Sequence, residues 1–142
     1  MRHEIIPNLR YADAHDAIDF LCRAFGFEGR AVYQSENDPR IVQHAQLTWH
    51  DRMVMIYSMN DAEYARAAKM KTAAEAGGPT MGLYLVVENV DAHAERARAA
   101  GAEIILGPDD KEYGGRGYSA RDPEGNVWSF GSYDPWADEP PQ

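Results

Sequence analysis

In one interpretation of the sequence, His44 supplies a proton donor or acceptor near neutral pH. It shares one face of an alternating run with Gln46, and Met55 and Tyr57 share one face of the next run. Tyr57 and Tyr84 can supply phenolic edges and flat apolar faces. The simpler interpretation makes His44 a strand histidine that hydrogen-bonds to a neighbour, and both interpretations stay open.

Three arginines could pair a carboxylate or phosphate on a ligand, namely Arg10, Arg116 and Arg121. Arg116 lies in the glycine-rich loop 114–117, which could close over a cleft or simply be a mobile surface loop. Arg121 precedes the acidic turn 122–126 and could form an ion pair there instead. A ligand role and a structural role therefore stay open for these side chains.

Other catalytic or metal-binding patterns are missing from the sequence. His44 and His50 are six residues apart, which is roughly 20 Å along a strand and too far for a shared ion. His15 and His93 fall in the first turns of predicted helices, where we expect side chains that face solvent. The sequence contains no P-loop or dinucleotide-binding glycine pattern and suggests no Ser-His-Asp arrangement.

Each half of the chain repeats one order of elements: a strand, a helix and three strands. Asp13 and Asp91 cap the two predicted helices, and Gly26 and Gly101 end them. Halves of roughly 60 to 70 residues are marginal alone, so we expect one shared core. The predicted strands are 4–11, 30–35, 41–49 and 53–59, then 83–87, 102–106, 118–121 and 127–133.

The predicted organisation is a single domain over residues 1–133. It comprises a first module of about 1–60, a connecting helix 61–78 and a second module of about 79–133. Residues 134–142 form an acidic, proline-rich tail that we expect to be frayed.

Composition limits the partners and the compartment. A formal net charge of −9 argues against nucleic acid and anionic membrane surfaces. No apolar run approaches the roughly 18 to 20 residues of a membrane span, and the first residues lack a secretory signal pattern. The single cysteine, Cys22, excludes an internal disulfide and is typical of a reducing cytoplasm, which is the location we expect.

Several segments together resemble the vicinal oxygen chelate superfamily, which includes glyoxalase I, bleomycin-resistance proteins and extradiol dioxygenases. They are Leu-Arg-Tyr-Ala-Asp at 9–13, Phe-Gly-Phe at 25–27, Ala-Ala-Gly-Ala at 99–102 and, above all, Arg-Asp-Pro-Glu-Gly-Asn-Val-Trp-Ser-Phe at 121–130. The resemblance covers about residues 4–133. It implies an α+β fold of two βαβββ modules, with curved mixed sheets around a cleft. It also implies a homodimer, since members commonly dimerise and sometimes swap modules between chains.

The resemblance implies four metal-ligand positions, which match Ile6, Met55, Gly82 and Ser129. Ile, Met and Gly offer no suitable donor to a divalent ion, and neutral Ser is a poor one. We therefore predict no metal and no cofactor. The candidate ligand-binding residues are Asn8, Arg10, His44, Gln46, Met55, Tyr57, Tyr84, Arg116, Arg121 and Ser129, and His44 is also the candidate catalytic residue.

The favoured function is a metal-free binding protein that holds a small organic compound, aromatic or cationic, as bleomycin-resistance relatives do. The alternative is a lyase, isomerase or dioxygenase, either with rearranged metal ligands or with His44 and a tyrosine as its acid and base. A third hypothesis is an interaction module whose cleft binds nothing.

Overall fold

A computed structural model describes residues 1–137 of the chain. It contains two four-stranded mixed sheets, in strand orders β1-β4-β3-β2 and β5-β8-β7-β6. The α+β class and the two βαβββ modules are confirmed. The elements are β1 (Asn8–Tyr11), α1 (Ala14–Phe20) with a π-helical turn (Leu21–Phe25), β2 (Glu28–Gln34), β3 (Val42–Trp49), β4 (Arg52–Ser58), α2 (Glu63–Ala67), α3 (Ala73–Ala76), β5 (Leu83–Val86), α4 (Val90–Ala99), β6 (Glu103–Asp110), β7 (Arg116–Arg121) and β8 (Val127–Gly131).

The connector contains two short helices instead of the single helix predicted over 61–78. Lys69 between them has a φ of 52°, which breaks a right-handed helix. Thr72 then starts α3 with a capping box, because its side chain and that of Glu75 each bond the other's backbone N–H. The expectation of a frayed tail falls largely on residues 138–142, which lie outside the described residues.

The strand predicted over 102–106 is longer in the structure, where β6 continues through residues 107–110. Its pairing with β7 shifts register between Leu106 and Asp109 and then resumes. A bulge thus accommodates the glycine and proline without ending the strand. In the described residues no helix is long and apolar enough to cross a membrane.

The two modules share one apolar core, as the sequence predicts. Phe25 of the first module lies 5.7 Å from Trp128 and 4.8 Å from Phe130 of the second, between ring centroids. Trp128 and Phe130 are fully buried, and the cluster also contains Ala14, Ala17, Ala94 and Ala97 of the helices. The helix-covered faces of both sheets therefore pack toward each other. The opposite faces, called here the first and second outer faces, point away from this core, and the curved sheets are not closed.

The turn 122–126 joins the modules at one end of this core. The buried Asp122 carboxylate accepts a hydrogen bond from the Tyr11 hydroxyl at 2.6 Å and another from Trp128 Nε1 at 3.1 Å. The same carboxylate accepts the backbone N–H groups of Glu124 and Asn126. Burial, together with Asp122, raises the pKa of Tyr11 well above its usual value, which keeps this phenol a donor.

His93 joins the modules at another point, so the expectation that it faces solvent was wrong. Its Nε2–H donates to the Phe25 carbonyl at 3.0 Å, and its Nδ1 accepts from the Tyr118 hydroxyl at 2.6 Å. The ring also lies 4.4 Å from that of Phe130. Burial lowers the pKa of His93 below its model-compound value of 6.5, since the charged ring would lose its hydration.

This arrangement predicts that stability falls in mild acid. Between the lowered folded pKa and the unfolded value of about 6.5, the unfolded chain binds more protons than the native chain. The histidine contribution is therefore fully present above about pH 6.5 and is lost as pH falls through the folded pKa. Urea unfolding at a series of pH values should show this loss, and His93→Gln should reduce it. A His93→Gln chain with an unchanged pH profile would contradict this role.

Candidate functional site

The first outer face is built by alternation along three strands. Val54, Ile56 and Ser58 of β4 point into the core, so the residues between them point outward. Asn8 is in register with Met55, and Met55 is in register with Gln46. The structure thus brings six sequence-predicted residues onto this face: Asn8, Arg10, His44, Gln46, Met55 and Tyr57.

A chain of hydrogen bonds crosses this face and fixes the state of His44. Arg30 Nε donates to Gln46 Oε1 at 3.2 Å, so the amide nitrogen of Gln46 faces His44 Nε2 at 3.1 Å. An amide nitrogen only donates, so His44 Nε2 must accept and Nδ1 must carry the hydrogen. His44 Nδ1–H then donates to the Tyr57 oxygen at 3.0 Å. The Tyr57 hydrogen is left with the Met55 sulfur, 3.8 Å away.

Arg10 is a buried cation that has no anionic partner in the part of the chain that the structure describes. Its residue is 8% exposed, and Nη1 donates to the Ser58 carbonyl at 3.0 Å and to Asn60 Oδ1 at 3.3 Å. Nε is buried without a partner, and in residues 1–137 no carboxylate lies within ion-pair distance of this guanidinium. The guanidinium carbon lies 4.9 Å from the Tyr57 ring centroid and 5.8 Å from that of Tyr64.

The second outer face carries a cavity of about 400 Å³. Ser119 and Ser129 share a hydrogen bond of 2.7 Å on its floor. The Tyr84 hydroxyl donates to the Tyr133 carbonyl at 2.7 Å, which fixes the Tyr84 ring at the rim. The lining residues include Gly82, Tyr84, Leu106, Lys111, Tyr113, Ser119 and Ser129.

Arg116 and Arg121, which were also predicted to bind a ligand, both pair with acidic side chains. Arg116 donates from Nε and Nη2 to both carboxylate oxygens of Asp91, at 2.9 and 3.0 Å, and reaches Asp110 as well. Arg121 Nε lies 3.7 Å from a Glu103 oxygen. Both cations therefore already have anionic partners within the chain.

The four positions at which the resemblance implies metal ligands do not form a suitable donor set. Gly82 and Ser129 line the same cavity, but only the serine carries a donor atom. Ile6 precedes β1, and the Met55 sulfur accepts from Tyr57. Within residues 1–137 no group of three or more His, Cys, Asp or Glu side chains could hold an ion. The residues present do not fit a divalent metal, and its absence stays a prediction.

Sequence reasoning missed several residues of the first outer face. Tyr33 is in register with His44, and their rings stack at 6.0 Å between centroids. Arg30 reaches Gln46 from the neighbouring strand. Their signal is the cross-strand register of β2 and β3, which contains two shifts and cannot be read from alternation alone. Tyr64 comes from the connector, far from the strands in sequence.

Comparisons with known proteins agree with this architecture. The family model described as Glyoxalase/Bleomycin resistance protein/Dioxygenase superfamily matches residues 5–130. The uncharacterized protein Mb0911c of Mycobacterium bovis is 33% identical over 125 residues, which cover 88% of this chain and 80% of that protein. TioX from Micromonospora sp. ML1 has a similar crystal structure, with a TM-score of 0.69, 30% identity and coverage of 92% of this chain and 98% of TioX.

A metal-containing structure has the same fold. It is a mutant of the fosfomycin resistance protein FosX from Listeria monocytogenes, complexed with Mn(II) and 1S,2S-dihydroxypropylphosphonic acid. The TM-score is 0.68 at 14% identity, with coverage of 95% of this chain and 94% of that chain. At this identity the likeness concerns the fold alone.

Proposed function

Because the chain belongs to the glyoxalase/bleomycin resistance protein/dioxygenase superfamily, we propose that it binds a small aromatic compound bearing an anionic group, without a metal. The observation that carries this proposal is Arg10, which is buried beside two tyrosine rings and has no counter-ion among residues 1–137. A buried unpaired cation is costly, and an anionic ligand would compensate it. The overall negative charge favours a cation at long range, but the local field at Arg10 favours an anion.

Aromatic recognition is supported by tyrosines exposed on both outer faces. Tyr33 is 57% exposed and Tyr84 is 43% exposed. Both rings lie on the outer face of their sheet and not on the face that packs into the core. Phenol rings offer flat apolar contact area and a polar edge, which suits a planar ligand. The Met55 side chain, which contacts Tyr57 on the first outer face, is adaptable in shape.

We propose further that a second copy of the chain completes the site. In a single chain the two outer faces point away from the shared core, and β1 and β5 each lie at the edge of a sheet. Between these edges is a cavity of about 500 Å³, bordered by Ile5 at 93% and Trp136 at 96% exposure. A homodimer that buries this apolar junction would bring the first outer face of one copy toward the second outer face of the other.

The test compares ligands of one ring system and opposite charge. We expect 1-naphthoate to bind the purified chain, measured by calorimetry, and 1-naphthylmethylammonium to bind more weakly, since only the first compensates Arg10. Tighter binding of the ammonium compound would contradict the anionic assignment. Binding of neither compound would contradict the proposed function.

Two controls accompany this test. Light scattering should give about twice the 15.9 kDa mass of one chain, and Ile5→Glu should lower both the mass and the naphthoate affinity. A monomer that binds naphthoate with full affinity would contradict completion of the site by a second copy. Metal analysis of protein purified without a metal column should find less than one equivalent, and a stoichiometric ion would contradict the metal-free assignment.

A further inference from the structure

The hydrogen-bond chain on the first outer face has one direction, and its last hydrogen has no good acceptor. Arg30 can only donate, and this sets the direction of each following bond through Gln46 and His44 to the Tyr57 oxygen. Among residues 1–137, the Tyr57 hydrogen then meets only the Met55 thioether, at 3.8 Å. A thioether sulfur is a weak acceptor, so this hydrogen remains available for a better one.

We infer that the Tyr57 hydroxyl is the specificity-determining donor for an anionic oxygen of the ligand, and that Arg30 keeps its hydrogen directed to the ligand through Gln46 and His44. The inference rests on the proposed function and deepens it, since it names what the ligand must present. The Tyr57 hydroxyl would donate to this anionic oxygen, and the Arg10 guanidinium carbon lies 4.9 Å from the centroid of the same ring. Charge-assisted bonds of this kind are the strong ones.

The direction of these hydrogen bonds matters because a histidine between two partners can exchange its donor and acceptor nitrogens by changing tautomer. If Gln46 no longer donates to Nε2, His44 can carry its hydrogen there and present Nδ1 as an acceptor. Tyr57 would then donate to His44 and offer only its oxygen lone pairs to the ligand. Arg30 and Gln46 are therefore positioning residues, which act on the ligand through the tautomer of His44.

The tautomer can be observed without any ligand. Nitrogen NMR of the imidazole side chains should assign the hydrogen of His44 to Nδ1 in the unaltered chain and to Nε2 in Gln46→Leu. Gln43→Leu is the matched control, since Gln43 lies on the same strand and is exposed. An Nε2–H tautomer in the unaltered chain would overturn the inference.

The binding measurement uses 1-naphthoate on the same variants. We expect Tyr57→Phe and Gln46→Leu each to weaken binding by about tenfold, the loss of one hydrogen bond to a charged group. Gln43→Leu should leave the affinity unchanged. Unaltered affinity in Tyr57→Phe, or in Gln46→Leu while Tyr57→Phe is weakened, would overturn the inference and leave the proposed function standing. No binding to the unaltered chain would overturn both.

Discussion

Asp122→Ala should lower the free energy of unfolding by about 3 to 5 kcal/mol, the largest stability loss that we expect from one substitution in this chain. The alanine removes the acceptor shared by the Tyr11 hydroxyl and Trp128 Nε1. Both residues are fully buried, so water cannot replace the lost bonds. Each buried donor left without a partner costs about 1 to 3 kcal/mol, and the turn loses two further bonds to its backbone.

Urea unfolding followed by tryptophan fluorescence measures this loss. Asp19→Ala is the matched control, because Asp19 is exposed and its ion pair with Arg23 on the helix surface contributes little. Asp122→Asn keeps one acceptor oxygen and should give an intermediate loss. A loss in Asp122→Ala no larger than that in Asp19→Ala would show that this carboxylate does not hold the modules together.

This structural role explains why the acidic turn 122–126 was the most specific sequence signal for the fold. The same role explains why the turn does not indicate which ligand or reaction the protein has. Its aspartate, Asp122, is buried and accepts hydrogen bonds from core side chains. Its Glu124 carboxylate accepts the backbone N–H groups of Ala12 and Asp13, just before α1. The fold therefore depends on the signature directly. The proposed ligand site lies on the opposite faces of the sheets and uses none of the residues 122–126.

Local structure was predictable where it depends on neighbouring residues. Asp13 caps α1 as predicted, because its side chain accepts the backbone N–H of Asp16 three residues later. The helix of the second module, α4, is capped by Asn89 and begins at Val90. The predicted cap, Asp91, was wrong by two residues and lies in the first turn. An asparagine and an aspartate two residues apart are both good caps, and the sequence alone does not rank them.

Contacts between the modules were not predictable in the same way. A polar residue in the first turn of a helix usually faces solvent, but His93 meets a carbonyl of the other module, 68 residues away in sequence. Within the second module, Arg116 contacts Asp91 at a separation of 25 residues, which local sequence patterns do not reach either. Periodicity reports that a face is buried and says nothing about which element covers it. Which face of each sheet points away from the shared core depends on how the two modules pack.

Arg10→Met should weaken 1-naphthoate binding by about 100-fold, the largest effect on binding that we expect, and leave the free energy of unfolding unchanged or raised by about 1 kcal/mol. Binding is expected to weaken without a loss of stability because the guanidinium is buried with an unpartnered Nε. Methionine fills similar space without a charge to desolvate. Residues that serve a ligand at the expense of stability commonly behave in this way.

Calorimetry and urea unfolding on the same samples separate this role from a structural one. Arg10→Lys retains the charge but loses the planar fork, so its affinity should lie between those of the unaltered chain and Arg10→Met. Arg40→Met is the control, since Arg40 is an exposed arginine paired with Asp38 in a turn, and it should change neither quantity. If Arg10→Met destabilises the chain by several kcal/mol and binds naphthoate normally, Arg10 is a structural residue that bonds Ser58 and Asn60, and the anion site must lie elsewhere.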